Sequence, residues 1–454
     1  MRIDPKAVAS RAKALPQHVE HLGILISELI KFAHPADMVV SRYFRAQPRL
    51  GNRDRALLAE AAFTFLRRKT EISQFAESGQ GPLARRLALL ALMITLAESG
   101  LGTGTRAESA LADLAFVVKP DEVEWLKRFG AIEPHHLQIL AQVNLPAWIW
   151  ESLVKTYGES RAHAMAQAMQ KPAPLDLRVN TLKTDRDSMQ AVLNDLGGRY
   201  AATPTPFAPN GLRLKGKPAL QTQEFFKAGH VEVQDEGSQL LCMLLNPKRG
   251  DMVVDFCAGA GGKTLSLGAM MRSSGRLYAF DVSEKRLANL KPRLAKSGLS
   301  NVHPVWIDSE NDVKVKRLAG KIDKVLVDAP CSGLGTLRRN PDLKWRQSPE
   351  AVSQLNAKQS SILKSAARLL KPGGRLVYAT CSLLQDENQA VVDGFLKEHP
   401  NFVLKDPKEV LKGQFPLKDG LPVGASVDGF WWQLFPDLHQ TDGFFAAILE
   451  KTTG

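Results

Sequence analysis

The sequence contains little cysteine: four residues in a chain of 454, at positions 242, 257, 331 and 381. They form no Cys-x-x-Cys pair, the spacing that is typical of zinc sites and redox centres. Disulfide frameworks belong to short, cysteine-rich secreted chains, so one is not favoured here either. We therefore expect no metal site, and each thiol requires its own explanation.

Long hydrophobic runs are also missing. The longest apolar run, from Leu87 to Ala97, is too short to span a bilayer and fits a buried helix better. Near the start of the chain, polar residues such as Arg11, Lys13 and Glu20 leave no basic-then-apolar signal segment. These absences predict a cytoplasmic protein that does not enter a membrane.

Positive charge, in contrast, is in excess. The formal net charge is +13 and the isoelectric point is about 9.5. Because phosphates are bound largely through lysine and arginine, this balance favours a polyanionic partner. The length of 454 residues predicts two or three domains, and we expect a monomer.

The first 140 residues have the apolar spacing of helices. Such spacing starts at Val19 and recurs over about 53–69 and 83–97. The second of these regions is rich in basic residues, which form either a solvated helix face or a contact with an RNA backbone: Arg42, Arg45, Arg49, Arg53, Arg55, Arg67, Arg68 and Lys69. The spacing predicts an all-helical domain over residues 1–140.

A second region, 141–230, starts with more helix and continues as a small α+β module. The prolines in Lys171-Pro-Ala-Pro174 indicate a boundary. After them we predict strands at 175–182, 198–201 and 211–215, with a helix near 187–196. We interpret this module as one that faces nucleic acid.

From about residue 231 to 454 strand and helix patterns alternate. Such alternation predicts an α/β fold, with a largely parallel sheet covered by helices on both faces. Ligands of these sheets bind at the carboxyl ends of the strands. The predicted strands are 253–256, 277–280, 302–306, 324–327, 375–378 and one near 444–449.

The stretch Asp251–Thr264 predicts a strand, a glycine-rich turn and a helix. Its Gly262-Lys263-Thr264 ending imitates a phosphate-binding P-loop, but Cys257 occupies the position where a P-loop needs glycine. A nucleotide triphosphatase is therefore excluded. The next predicted strand ends at Asp281, 26 residues after Asp255. An acid at about this distance from a glycine loop can bind ribose hydroxyls, so the pattern favours nucleoside binding.

Four acids occupy equivalent positions, each at or just after the end of a predicted strand. They are Asp255, Asp281, Asp308 and Asp328. The alternative for any one of them is a structural Asp that ends a strand. Since the carboxyl ends of parallel strands meet at one edge, we expect the four carboxylates to surround one pocket.

Cys331 and Cys381 also follow predicted strands, in Asp328-Ala-Pro-Cys331 and Tyr378-Ala-Thr-Cys381. Buried structural cysteines are common, but two in matching positions favour chemistry in the proposed pocket. Spacing alone does not rank the two thiols. We assign Cys242 to packing and Cys257 to the backbone of the glycine loop.

Several motifs resemble those of the enzymes that methylate carbon 5 of cytosine in RNA, in that family's order and over about residues 175–450. The nearest branch is the bacterial Sun/RsmB type, which acts on 16S ribosomal RNA. The N-terminal helices, with Asn52-Arg-Asp-Arg55, resemble this branch's NusB-like RNA-binding domain. The matching runs are 233–239 (VQDEGSQ), 257–264 (CAGAGGKT), 328–335 (DAPCSGLG), 338–342 (RRNPD), 378–382 (YATCS) and 441–445 (TDGFF).

The resemblance implies a Rossmann-like catalytic domain that uses S-adenosylmethionine. It implies that Cys381 is the nucleophile, that Cys331 assists proton removal or product release, and that Asp328 contacts the base. Asp281 would hold the ribose and Asp308 the adenine end. The implied cofactor-binding residues are Cys257, Ala258, Gly259, Ala260, Gly261, Gly262, Lys263, Asp281, Asp308 and Asp328.

The expected partner is RNA, most simply ribosomal RNA whose target base is unpaired or exposed. Basic residues after Cys331 are placed to grip phosphates beside that base: Arg338, Arg339, Lys344 and Arg346. Two alternatives remain open at this point. The same chemistry could act on transfer RNA, or the protein could be a non-catalytic RNA-binding factor in ribosome assembly.

Overall fold

The computed structural model describes residues 5–98, 106–414 and 430–453, and of residues 5–13, 106–109 and 134 it describes the backbone alone. The chain divides into two compact units. Met1–Lys171 and Leu337–Gln347 form the first, and Pro172–Thr336 and Ser348–Gly454 form the second. The main division follows Lys171, within the proline-containing stretch. The further division into domains at residues 140 and 230 stays a prediction.

The N-terminal part of the first unit is helical, as the apolar spacing predicts. Helix α5 is buried along its length from Leu87 to Leu96, because its sequence is apolar on every face. The helices are α1 (Pro5–Leu29), α2 (Ala36–Ala46), α3 (Asn52–Arg67), α4 (Lys69–Ala76), α5 (Leu83–Glu98), α6 (Arg106–Leu114), α7 (Pro120–Gly130), α8 (Ile139–Val143), α9 (Ala147–Tyr157) and α10 (Glu159–Met169).

The second unit starts with a four-stranded antiparallel sheet in the order β2-β3-β1-β4. Its core contains Leu177, Leu193 and Leu212. The strand predicted at 198–201 lies instead at 202–204, and the sequence reasoning did not predict β4. The elements are β1 (Leu175–Val179), α11 (Arg186–Leu196), β2 (Ala202–Pro204), β3 (Gly211–Leu214), α12 (Glu224–Lys227) and β4 (Val231–Val233).

The rest of the second unit alternates strands with helices, which confirms the α/β prediction. Each of the six strands predicted here is present. The elements from 236 onwards are α13 (Glu236–Leu245), β5 (Met252–Asp255), α14 (Gly262–Met270), β6 (Arg276–Asp281), α15 (Glu284–Ser297), β7 (Val302–Trp306), α16 (Val313–Lys316), β8 (Ile322–Asp328), α17 (Leu343–Arg346, in the first unit), α18 (Pro349–Arg368), β9 (Leu370–Thr380), α19 (Gln389–Glu398), β10 (Phe402–Leu404), α20 (Pro407–Leu411), β11 (Trp431–Leu434), α21 (Pro436–His439) and β12 (Phe444–Lys451).

These strands form one eight-stranded sheet in the order β10-β12-β9-β8-β5-β6-β7, with β11 also paired to β12. Strands β9, β8, β5, β6 and β7 are parallel, whereas β12 runs antiparallel to its neighbours. The order reverses between β5 and β8, and ligands bind at such a switch point, outside the carboxyl ends of the strands. Buried apolar clusters cover both faces of the sheet.

Within the described ranges, no helix is both long and apolar enough to cross a membrane. The expected cytoplasmic location stays a prediction.

The segment Leu337–Gln347 packs within the helical unit. Trp345 Nε1 donates a hydrogen bond to the carbonyl of Leu66 at 3.1 Å, and Asp342 Oδ2 accepts one from the amide of Ala36 at 3.1 Å. The Lys69 ammonium lies 4.6 Å from the centre of a Trp345 ring. This segment, which follows the Cys331 motif in sequence, is therefore part of the helical unit's fold.

Candidate active site

The glycine loop between β5 and α14 has the backbone geometry that its glycines permit. Gly259 and Gly261 have φ angles of 56° and 82°, in the left-handed region that favours glycine. A Cβ added at Gly261 would stand 2.2 Å from Leu290 Cδ1, so the loop packs closely on α15 there. At Gly259 a Cβ would have no described atom within 4 Å, apart from its chain neighbours. The loop is therefore open at Gly259 and closed at Gly261.

Asp281, at the end of β6, is fixed to this loop. Its Oδ2 accepts a hydrogen bond from the Gly259 amide at 2.8 Å, and its Oδ1 accepts one from the Ser283 amide at 2.7 Å. Oδ1 also pairs with the Arg286 guanidinium at 3.2 Å, whereas Oδ2, with two lone pairs and one donor, keeps capacity for a further donor. The side chain is nearly buried yet adjoins the open part of the loop, which fits a carboxylate that binds hydroxyl groups.

Asp255 differs from the other strand-end acids because it is completely buried. Its Oδ2 accepts a hydrogen bond from Thr264 Oγ1 at 2.7 Å, and its Oδ1 has no partner among the described residues. Burial raises the pKa of Asp255 to about 7, and the negative charge of Asp328 adds to the rise. This carboxyl group links β5 to the start of α14.

Asp308 lies beyond the end of β7 and is exposed. Its Oδ1 accepts a hydrogen bond from the Ser309 hydroxyl at 3.1 Å, and its amide donates to Asp312 Oδ2 at 3.1 Å. These bonds hold Asp308 in its own turn rather than against the glycine loop. Its assignment to the adenine end stays a prediction.

Lys263 and Asp328 form an ion pair, with 2.7 Å between Nζ and Oδ2. Burial alone would lower the pKa of the Lys263 ammonium, but the charge of Asp328 and the hydrogen bond to it outweigh burial and raise this pKa. The pair joins the start of α14 to the end of β8. The structure thus brings Lys263 from the glycine loop to the acid that precedes Cys331.

The two cysteines that follow β8 and β9 meet, with their sulfur atoms 3.3 Å apart. The strands are adjacent and parallel, and Asp328 pairs in register with Ala379, so their C-terminal loops emerge side by side. The hydrogen bond to Cys381, together with burial and the charges of Cys381 and Glu387, raises the pKa of Cys331 well above its ordinary value. Cys331 therefore keeps its proton and can donate it to the Cys381 sulfur.

The remaining cysteines have other surroundings. Cys242 is fully buried in the core against α14, and burial raises its pKa to about 11. Burial also raises the pKa of Cys257 well above its ordinary value. A thiol whose pKa is raised in this way is a poor nucleophile, which agrees with the packing and loop roles assigned to these two.

Sequence reasoning missed three residues beside the cysteine pair: Glu387, Ser332 and Ser382. The Ser332 amide donates to Glu387 Oε1 at 2.8 Å, and both serine hydroxyls donate to Glu387 Oε2. The signal available in the sequence was that each cysteine is followed directly by serine.

One prediction about basic residues is wrong. Lys344 was expected to grip phosphates, but it is 3% exposed and its ammonium donates to the carbonyl of Arg67 at 2.8 Å. Burial lowers the pKa of Lys344 well below its ordinary value. Arg338 is also buried, whereas Arg346 is exposed and can still meet a phosphate. Among the earlier basic residues Arg67 is buried too, and pairs with Glu60.

Comparison with known proteins identifies the family. The family described as 16S rRNA methyltransferase RsmB/F matches residues 242–450, and the ferredoxin-like domain of RsmF/B-like methyltransferases matches 145–221. A probable ribosomal RNA small subunit methyltransferase B of Synechocystis is 31% identical over 439 residues, which cover 91% of this chain and 95% of the relative. A Bacillus subtilis protein with the same description is 31% identical over 74% of this chain and 72% of its own.

Solved structures agree with this. The crystal structure of a methyltransferase homolog from Pyrococcus horikoshii superimposes with a TM-score of 0.58 and 31% identity, over 70% of this chain and 100% of that one. The chain therefore belongs to the RsmB/F family of 16S rRNA methyltransferases, and it is an S-adenosylmethionine-dependent RNA methyltransferase.

Proposed function

We propose that the protein methylates carbon 5 of a cytosine in small-subunit ribosomal RNA through a covalent bond between Cys381 and carbon 6 of the base. The observation that carries this proposal is the 3.3 Å contact between the Cys331 and Cys381 sulfurs at the carboxyl edge of the sheet. The Lys263–Asp328 pair at the neighbouring strand end supports it. Relatives named as ribosomal RNA small subunit methyltransferases support the substrate.

The reaction needs a nucleophile because carbon 5 of cytosine is itself unreactive. The Cys381 thiolate adds to carbon 6, which moves electron density to carbon 5. S-adenosylmethionine supplies the electrophilic methyl group. A base then takes the carbon-5 proton, the electrons of that C–H bond restore the ring's double bond, and Cys381 leaves carbon 6 as a thiolate. Cysteine suits this role since its thiolate is strongly nucleophilic near neutral pH.

The neighbouring residues have distinct roles in this scheme. Cys331, which holds a proton against Cys381, assists release of the product by protonating the Cys381 sulfur as it leaves carbon 6, or, once it has given up that proton, assists removal of the carbon-5 proton. Asp328 accepts a hydrogen bond from the Watson–Crick edge of the base and steadies the adduct. Lys263 donates to Asp328 Oδ2 at 2.7 Å, which orients this carboxylate toward the site.

The cofactor fits the glycine loop. The open space at Gly259 lets a ligand approach the backbone, and Asp281 Oδ2 keeps a lone pair for a ribose hydroxyl beside it. The start of α14 at Gly262 offers amide donors that no helical carbonyl accepts. We assign residues 257–263, Asp281 and Asp328 to the cofactor, and Asp308 to its adenine end.

The decisive experiment is Cys381→Ala. We expect this variant to bind S-adenosylmethionine with wild-type affinity and to transfer no methyl group to small-subunit ribosomal RNA. Cys242→Ala is the matched control, because it also removes a thiol but lies in the core. Full activity of Cys381→Ala would overturn the proposal. Bisulfite mapping of ribosomal and transfer RNA from a deletion strain would separate the two substrates.

A further inference from the structure

The loops that carry Cys331 and Cys381 share one buried carboxylate. Glu387 is 0% exposed. Its Oε1 accepts a hydrogen bond from the Ser332 amide at 2.8 Å, and its Oε2 accepts from the hydroxyls of both Ser332 and Ser382. A single side chain therefore holds the residue that directly follows each cysteine.

Every partner of this carboxylate in the described part of the chain can donate a hydrogen bond. Gln359 Nε2 donates to Glu387 Oε1 at 3.0 Å, and the hydroxyl oxygens of Ser332 and Ser382 are 3.2 Å apart. The two oxygens of a carboxylate side chain offer several acceptor sites, so Glu387 matches this set of donors.

The hydrogen bonds from Ser332 and Ser382 to the Glu387 carboxylate form a brace between the two cysteine loops. This brace is itself anchored to strand β9. Tyr378 Oη donates to the carbonyl of Glu387 at 2.7 Å. The next residue, Asn388, donates from Nδ2 to the carbonyl of Ser382 at 3.0 Å, and its Oδ1 accepts from Thr380 Oγ1 at 2.5 Å. The carboxylate is thus fixed to the strand that precedes Cys381, while it also reaches the loop after β8.

We propose that Glu387 is a positioning residue that sets the separation of the Cys331 and Cys381 sulfurs. Its kinetic consequence rests on the proposed methyl transfer, which needs both thiols at one cytosine. A misplacement of about 1 Å in such a site can cost about 10²-fold in rate. The spacing of the thiols can be measured without RNA, so the two proposals can fail separately.

The kinetic test compares Glu387→Ala with Asp323→Asn in single turnovers at saturating cofactor and RNA. Asp323 also accepts from a backbone amide, that of Met252 at 2.8 Å, but it lies near the start of β8, away from the cysteines. We expect Glu387→Ala to lose about 10²-fold in rate with unchanged affinity for cofactor and RNA. Asp323→Asn should keep the wild-type rate.

The spacing test uses phenylarsine oxide, which binds two neighbouring thiols far more tightly than it binds one. Wild type should bind it tightly, Cys331→Ser should bind it only as weakly as a single thiol does, and Glu387→Ala should bind it much more weakly than wild type. If wild type transfers no methyl group to RNA while Glu387→Ala still weakens arsenical binding, the proposed function fails and the positioning role stands.

Two further variants guard against misfolding and against a merely structural effect. A Ser332→Ala, Ser382→Ala double variant removes the two hydroxyl donors and keeps Glu387, so it should also slow turnover and weaken arsenical binding. Glu387→Gln keeps one acceptor oxygen for the Ser332 amide, while the hydroxyls can rotate to accept from its amide. It should recover at least tenfold of the rate lost in Glu387→Ala.

Two results would overturn the inference. One is a wild-type rate and wild-type arsenical binding in Glu387→Ala, or in the double serine variant if Glu387→Ala does not fold. The other is an equal loss in Glu387→Gln and Glu387→Ala, because a brace built from hydrogen bonds should be partly restored by glutamine.

Discussion

Asp255 should make the protein less stable as the pH rises, and Asp255→Asn should remove this dependence. The carboxyl group is completely buried, and burial raises its pKa from the ordinary 3.8 to about 7. The folded state therefore holds a proton in a pH range where the unfolded chain has released it. Between these two pKa values the unfolded state binds fewer protons, so stability falls as the pH rises.

The size of the effect follows from the shift. A rise of roughly 3 pKa units corresponds to about 4 kcal/mol above pH 7, at about 1.4 kcal/mol per unit. About 2–3 kcal/mol of this change falls between roughly pH 5 and pH 8, where the protein is easily handled. In Asp255→Asn the side-chain NH2 group would take the place of Oδ1, which has no described partner. Burying this unsatisfied donor should lower the free energy of unfolding by about 1–3 kcal/mol. That cost does not depend on pH, so the slope is the quantity to measure.

The assay is denaturant unfolding of wild type and Asp255→Asn across this pH range. We expect the stability of the variant relative to wild type to rise by about 2–3 kcal/mol from about pH 5 to pH 8. Asp323→Asn is the control, because the pKa of Asp323 is shifted in the opposite direction to that of Asp255. Burial opposes ionisation of Asp323, but the hydrogen bonds from Lys371 and Met252 outweigh burial and lower its pKa. Its stabilising contribution is lost only in more acidic solution, so its curve should stay parallel to wild type in this range. Parallel curves for Asp255→Asn would refute the reasoning.

Further predictions concern the cysteine pair, the ion pair and the docked segment. Cys331→Ala should accumulate a covalent RNA adduct on a denaturing gel, and the adduct should vanish when Cys381→Ala is added; normal turnover with no adduct would remove Cys331 from the mechanism. Lys263→Met leaves Asp328 without its cation and should lower the free energy of unfolding, measured with denaturant, by roughly 2–4 kcal/mol. This is somewhat less than the loss for a fully buried ion pair, and a change under about 0.5 kcal/mol would show that the pair contributes little. Trp345→Ala should destabilise the helical unit by about 3 kcal/mol. Trp345→Phe removes the indole hydrogen bond but keeps an aromatic ring, so it should cost only about 1 kcal/mol; equal melting temperatures for the two variants would contradict this.

Much of the fold could be predicted from local patterns. The six strands predicted after residue 231 are present, because apolar runs bounded by glycine and polar residues encode strands within a few positions. The antiparallel direction of β12 was not predicted. Nor were β10 and β11, which are short strands of three and four residues. Direction depends on which strand becomes the neighbour, and local pattern does not encode that choice.

The site was predicted unevenly for the same reason. Lys344 follows the Cys331 motif among other basic residues, which favoured an exposed phosphate contact. In the structure its ammonium is buried against the carbonyl of Arg67, hundreds of positions earlier in the chain. Glu387 was overlooked because a lone acid after a cysteine motif carries no periodic signal. Its importance arises only from the donors that converge on it.

The sequence by itself determined which residues end the parallel strands, and therefore that acids, a glycine loop and two cysteines would face one edge of the sheet. This follows because strand and helix periods are local properties of the chain. Only the tertiary structure decided that β8 and β9 lie side by side, that Lys263 reaches Asp328, and that the two sulfurs come within 3.3 Å of each other. The last two contacts join residues 65 and 50 positions apart, and they depend on strand order and packing rather than on any neighbouring residue.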